Sequence, residues 1–279
     1  MFDHKPTQIK TPWSQVNELL HGDGFYPVGL WLLPVINHEQ VYDFYAHLIA
    51  SQSHLLDVSE HPRRNDDLKY TICYMDASSQ YAGAMDANVA QYISEHTGKP
   101  VGDLPVDIIN YNEEAFGARG IRFVSWRLSR SNSLDVAVTG IGDGLLNGGC
   151  DMRICIIDRV GLDEYHTETA RRMLRTIRQW AVQNQVLVLV SAPLDPVLVR
   201  YDSEFDAPLI DRFEDKQMDR LYYHKAITQE ADGELLIGHN EKEQELVIRR
   251  GKFRGDSRPY GEEVRFDSLV GEFPEWNAK

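Results

Sequence analysis

Cysteine is scarce: the 279 residues contain three, Cys73, Cys150 and Cys155. An odd number cannot pair completely, none forms a C-x-x-C, and each lies in or beside an apolar run. The pattern predicts buried, reduced thiols and neither a disulfide framework nor a zinc site. Long apolar stretches are missing as well. Nothing approaches the roughly 18 consecutive apolar residues of a membrane span, and the opening "MFDHKPTQIKTPWSQ" has no apolar h-region or small-residue cleavage site. Together these absences lead to the expectation of a cytoplasmic chain with no metal and no membrane contact.

Positive charge is in deficit, with 29 Lys and Arg against 43 Asp and Glu and a formal net charge of −14. Such a balance repels phosphate backbones at long range, so nonspecific nucleic-acid binding is not expected. The ten histidines are dispersed, with no H-x-H or H-E-x-x-H spacing, and there is no G-x-S-x-G elbow, Walker loop or paired C-x-x-C. What is present is ordinary globular material, 42% hydrophobic and 26% charged. That is enough chain for one large domain or two small ones.

The segment "VGLWLLPVI" (28–36) is a continuous apolar run of the kind that fills a buried strand. After it, Val41, Phe44, Tyr45, Leu48 and Ile49 recur at helical spacing, and "KYTICYMDA" (69–77) resumes as a strand, which makes a βαβ unit. A second helix is expected over 84–97, ended by "TGKP". Strands are expected at 121–129 and 134–142, joined as a hairpin through "RSNS". The clearest pattern follows: strand 151–160, an amphipathic helix within 161–185 and strand 186–193, a second βαβ unit with two buried parallel strands. Beyond 194 the chain is acidic and broken by prolines, then β-rich, with two strands within 233–253 and one at "EVRF" (263–266). The fold class is therefore α/β to α+β: a mixed sheet built around two βαβ units with a β-rich C-terminal part. Residues 1–195 form the α/β core, and 196–279 form an extension packed on it.

The candidate binding residues come from "TGIGDGLLNGGCD" (139–151), the most glycine-dense stretch. Read as a loop between two strands, Gly140, Gly142 and Gly144 offer backbone amides to a ligand, and Asp158, at the tip of "RICIID", is placed to meet a ribose. "LDVAVTGIGDG" resembles the first motif of S-adenosylmethionine-dependent methyltransferases, which implies a methyl-donor ligand at the same place, although the helix that follows that motif has no room before Asp151. Asp158 with Asp163 could hold Mg²⁺ and a phosphate, yet Asp163 is equally a helix N-cap. "EQE" (243–245) resembles the E-x-E strand of ADP-ribosyltransferases, but without that family's Ser-Thr-Ser strand it reads as solvent-facing glutamates on a hairpin. Finally, Arg171, Arg175 and Arg178 line one side of the long helix, a stripe that could dock a protein partner or a second copy of the chain.

Two functions follow. The first is a non-catalytic binding or assembly protein acting through protein contacts, with the arginine stripe and the aromatics Tyr222 and Tyr223 as its surfaces. The second is a small-molecule enzyme binding a nucleotide or S-adenosylmethionine-like ligand at 140–144 and Asp158.

Overall fold

The computed structural model describes residues 8–20, 24–35, 38–55, 69–77, 84–128, 133–158, 160, 166–193, 226–240, 245–253 and 263–266. Its elements run α1 (Ser14–Leu19), β1 (Gly29–Val35), α2 (His38–Leu55), β2 (Lys69–Asp76), α3 (Ala84–Thr97), α4 (Pro105–Gly117), β3 (Ile121–Arg127), α5 (Leu134–Asn147), β4 (Cys150–Asp158), α6 (Thr167–Asn184), β5 (Leu187–Pro193), β6 (Gly233–Asn240), β7 (Glu245–Phe253) and β8 (Glu263–Phe266). The strands form a single sheet in the order β3-β2-β4-β5-β1-β6-β7-β8. From β3 to β6 all pairings are parallel, while β7 and β8 continue the sheet antiparallel. The mixed sheet expected from the sequence is the one observed. β4 and β5 are parallel neighbours, as the second βαβ unit requires. In the first unit, α2 carries the chain from β1 across the positions of β5 and β4 to reach β2.

Both faces of the sheet are covered, which is why β1, β2, β4 and β5 read as nearly unbroken apolar runs. One face packs Ile72, Tyr74, Ile154, Ile156 and Leu189 under α1 to α4 and the segment around Phe25. The other packs Cys73, Met75, Cys155, Ile157 and Val190 under α5 and α6. α6 contributes Ala170, Met173, Leu174, Ile177, Trp180 and Ala181. Each large apolar side chain among them stabilises the fold by about 1.5–3 kcal/mol through burial. All three cysteines are buried and free. Gly29 opens β1 at φ 119°, where a side chain would run into the Asp232 carboxylate.

The middle of the chain corrects the sequence reading. Residues 134–147 are a helix, α5, so the expected hairpin after β3 is not formed; among the described strands β3 pairs in parallel with β2 alone and stands at the sheet edge. The apolar residues Leu134, Val138, Ile141 and Leu145 were spaced for a helix, and burial against the sheet outweighs the poor helix propensity of three glycines, roughly 0.5–1 kcal/mol each. α4 had no counterpart in the sequence reading. Its start is marked by Pro105 at the first helical position and by Asp107, whose carboxylate accepts from the Leu104 N–H at 3.4 Å. No helix among the described residues is long and apolar enough to cross a membrane.

Candidate functional site

The sheet has a point where its connections diverge. From β2 the chain turns outward to β3 through α3 and α4, on the face that also holds α2. From β4 it turns the opposite way to β5 through α6, on the other face. Neighbouring strands whose connections leave to opposite sides open a crevice at their carboxyl ends, and open α/β sheets place ligands there. β2 and β4 end at this crevice in Asp76 and Asp158, which are register partners.

Asp158 is 1% exposed and lies on the α2 face. Its Oδ2 accepts from the Tyr74 hydroxyl at 2.7 Å, and its Oδ1 accepts from the Ser191 hydroxyl at the end of β5. Tyr45, fully buried on α2, faces the same carboxylate and Ser191. The phenols of Tyr74 and Tyr45 are both pushed well up, first by burial and then by the negative charge of Asp158. Tyr42 on α2 and Asp76 also border Tyr74. The strand ends are laced together beyond the last ladder pairs: Ala77 N–H donates to Asp158 O, Leu128 N–H to Asp76 O and Val160 N–H to Ser191 O. The result is a rigid, buried acceptor centre whose protons are supplied by neutral hydroxyls. Asp76 was missed in the sequence because "YMDA" carries no motif. The available signal was its position at the end of an apolar strand, the same signal that singled out Asp158.

The other candidates fall elsewhere. Gly140, Gly142 and Gly144 sit in α5, on the opposite face from Asp158, so the glycine loop expected there does not exist. A side chain at Gly142 would enter the Trp180 ring, whereas Gly140 and Gly144 face open space. Gly142 is thus the point of close approach between α5 and α6, fixed alongside by a 2.8 Å bond from Trp180 Nε1 to Asp143. With the loop goes the likeness to the methyltransferase motif, which needs a strand where α5 lies.

The arginine stripe is engaged within the chain. Arg171 and Arg175 both bind Glu230, with shortest contacts of 2.9 and 2.8 Å, and Arg178 binds Asp232 at 2.7 Å. Asp232 also accepts from the Leu30 N–H at 3.0 Å. These arginines fasten α6 to the entry of β6, and Glu230 is held below its usual carboxylate range, chiefly by its bond from Arg175. Asp163, Glu243, Gln244, Tyr222 and Tyr223 lie outside the described residues. Elsewhere on the α2 face, His47 is 1% exposed, stacks on Tyr92 with ring centroids 3.7 Å apart and meets the edge of Trp13. Burial, and next the charge of His96, lower its pKa to about 3.

Among solved structures, the chain is similar to the crystal structure of the RadB recombinase, with a TM-score of 0.53 and 13% identity over 93% of this chain and 95% of that one. At that identity the likeness is one of fold, and it runs through nearly the whole of both chains. No protein-family model and no curated protein matches. The likeness overturns the expectation of a non-catalytic assembly protein. That expectation rested on the lack of a catalytic motif and on surface arginines, and the arginines turn out to be spent on internal ion pairs while the fold is shared with a recombinase.

Proposed function

We propose that the chain binds a nucleotide at the carboxyl edge of β2 and β4, beside Asp76 and Asp158. One observation carries the reading: two carboxylates end adjacent parallel strands at the crevice where the connections part to opposite faces. The likeness in fold to a recombinase supports it. The position of Asp158 at the end of β4 supports the ribose contact expected of it from the sequence, with Asp76, Tyr74 and Ser191 beside it in place of the glycines, which lie in α5.

Thermal denaturation with a panel of nucleosides, nucleotides and S-adenosylmethionine tests this. A ligand that binds the folded state at a hundred times its Kd adds about 2.7 kcal/mol and raises the midpoint. The expected result is a rise with one nucleotide family, lost in Asp158→Asn, which keeps the side-chain shape and one acceptor oxygen. A rise with S-adenosylmethionine alone would replace the reading with a methyl-donor site. No rise with any member at millimolar concentration would end it.

A further inference from the structure

Large apolar side chains are exposed at few places among the described residues, and three of them stand together. Leu104, Val106 and Ile109 are 61%, 55% and 51% exposed and fall within six residues at the start of α4, whereas Tyr26, Trp126, Val136 and Val182 lie one each on separate segments. Val106 and Ile109 are three positions apart and share one side of the helix, with Leu104 next to them at the N-cap. α4 does not need them to hold its place. Its opposite side buries Phe116, which packs on Phe123 of β3 with ring centroids 5.6 Å apart, and Asn112, whose Nδ2 donates to the Asp86 carbonyl of α3 at 2.9 Å.

Each of the three is also a poor choice for an isolated helix. Leucine at the N-cap has no oxygen to accept from the first-turn N–H groups, and valine and isoleucine lose side-chain freedom on a helix surface where glutamate or lysine would lose little. A contiguous apolar group that serves neither helix nor core marks a contact with something outside the chain. Charge decides what that something is. Between Gly98 and Ala118 the chain carries four acids, Asp103, Asp107, Glu113 and Glu114, against one cation, Lys99, which is itself paired with Glu114 at 3.7 Å. Asp103 and Glu113 are exposed, the first adjoining Leu104 and the second four positions beyond Ile109 on the same side of the helix. A phosphate backbone or an anionic lipid surface is repelled there, and a second copy mating through the same surface would set these acids against themselves. A segment that brings apolar residues flanked by lysine or arginine satisfies both parts. We propose that the outer side of α4 docks a cationic amphipathic segment of a partner protein, whose apolar residues cover Leu104, Val106 and Ile109 while its cations meet Asp103 and Glu113. This surface makes no use of the strand ends at Asp76 and Asp158 and stands independently of the nucleotide reading.

The test is fluorescence anisotropy on the full chain with a labelled helical peptide of about four turns, ~14 residues, with leucines along one side and lysines along the other. Two control peptides accompany it, one with the same leucines and lysines in scattered order and one with glutamate in place of lysine. The ordered cationic peptide is expected to bind, the scattered one about tenfold more weakly and the glutamate one not at all. Val106→Ser with Ile109→Ser, both at exposed positions, is expected to weaken binding about tenfold, roughly 1.4 kcal/mol. Asp103→Asn with Glu113→Gln is expected to weaken it about threefold at low salt, a difference that closes at about 0.5 M NaCl. Equal binding of the ordered and scattered peptides, or undiminished binding by a folded chain with both serine substitutions, would overturn the proposal, since the attraction would then be that of net charge alone. No binding of the ordered cationic peptide up to about millimolar concentration overturns it as well. Light scattering decides the remaining case: a wild-type dimer that the two serine substitutions return to monomer would give the surface to a second copy and overturn the assignment to a cationic partner.

Discussion

The two faces of one sheet are built from different chemistry. Under α5 and α6 the central strands present Cys73, Met75, Cys155, Ile157 and Val190, and the polar contacts gather around the entry of β6, where Thr228, Glu230 and Glu234 are buried and Arg171, Arg175 and Arg178 meet Glu230 and Asp232. Under α2 and α3 the polar groups are buried: Asp158, Ser191, Tyr45, Tyr74 and His47 sit among the apolar side chains. A buried polar group costs stability unless it is satisfied, and a fold that needed only a core could have used hydrocarbon on both sides. The buried polar groups of the α2 face are the candidates for chemistry, and the α5 and α6 face is the plainer core behind the central strands.

The largest expected difference between the faces is in acid. His47 is neutral in the folded chain, its pKa lowered to about 3 from an ordinary 6.5 by burial and by His96. Tyr92 and His96 from α3 and Trp13 from the N-terminal segment face it. Below pH 6.5 the unfolded chain takes up a proton that the folded chain refuses, so stability is fully present above that pH. It is lost as pH falls toward 3, by up to about 1.4 kcal/mol per unit. Denaturant melts of the wild type and of His47→Gln at pH 7.5, 6, 5 and 4 should show curves that converge as pH falls. Parallel curves would mean that His47 has no part in the acid sensitivity of this face.

α5 gives the next comparison, because three glycines of one helix face three different surroundings. At Gly142 a methyl group enters the Trp180 ring, and Gly142→Ala should cost about 1–3 kcal/mol through overpacking. At Gly140 and Gly144 there is open space, and the same substitution should add roughly 0.5–1 kcal/mol through helix propensity. Thermal melts read the opposite signs directly. If all three substitutions stabilise, the close approach of α5 to α6 is not as described.

Those glycines also show what could be read from the sequence. The strands β1, β4 and β5, the helix α6 and the placement of Asp158 were legible because burial on both faces leaves a long apolar run, and one-sided burial leaves helical spacing. α5 was not, since glycines and β-branched residues lower helix propensity and the deciding partner, Trp180, lies 38 positions past Gly142. α4 was overlooked although Pro105 and Asp107 mark its start; it is mostly exposed, and Leu104, Val106 and Ile109 on its surface blur the two-sided pattern. The carboxylate pair was half legible. Sequence order says nothing of which strands become neighbours, and only the sheet order sets β2 beside β4 and so Asp76 beside Asp158.

The smallest expected effect lies at the rim of the plain face, where the ion pairs are partly exposed. Arg178 and Asp232 have side chains 27% and 21% exposed and join through Nε and Nη2, and Asp232 also receives the Leu30 N–H. Arg178→Ala removes the guanidinium from that acid, and should cost about 1 kcal/mol at low salt and less at 0.5 M NaCl, where the Debye length is short. Arg175 is 48% exposed and shares Glu230 with Arg171, so Arg175→Ala should change the melting midpoint little. Neither substitution should alter the nucleotide binding proposed above, because α6 and the entry of β6 lie on the far side of the sheet from Tyr74 and Tyr45. A loss of binding in Arg178→Ala, with stability nearly intact, would show the two faces to be coupled, and the division between a plain core and a chemical one would have to be redrawn.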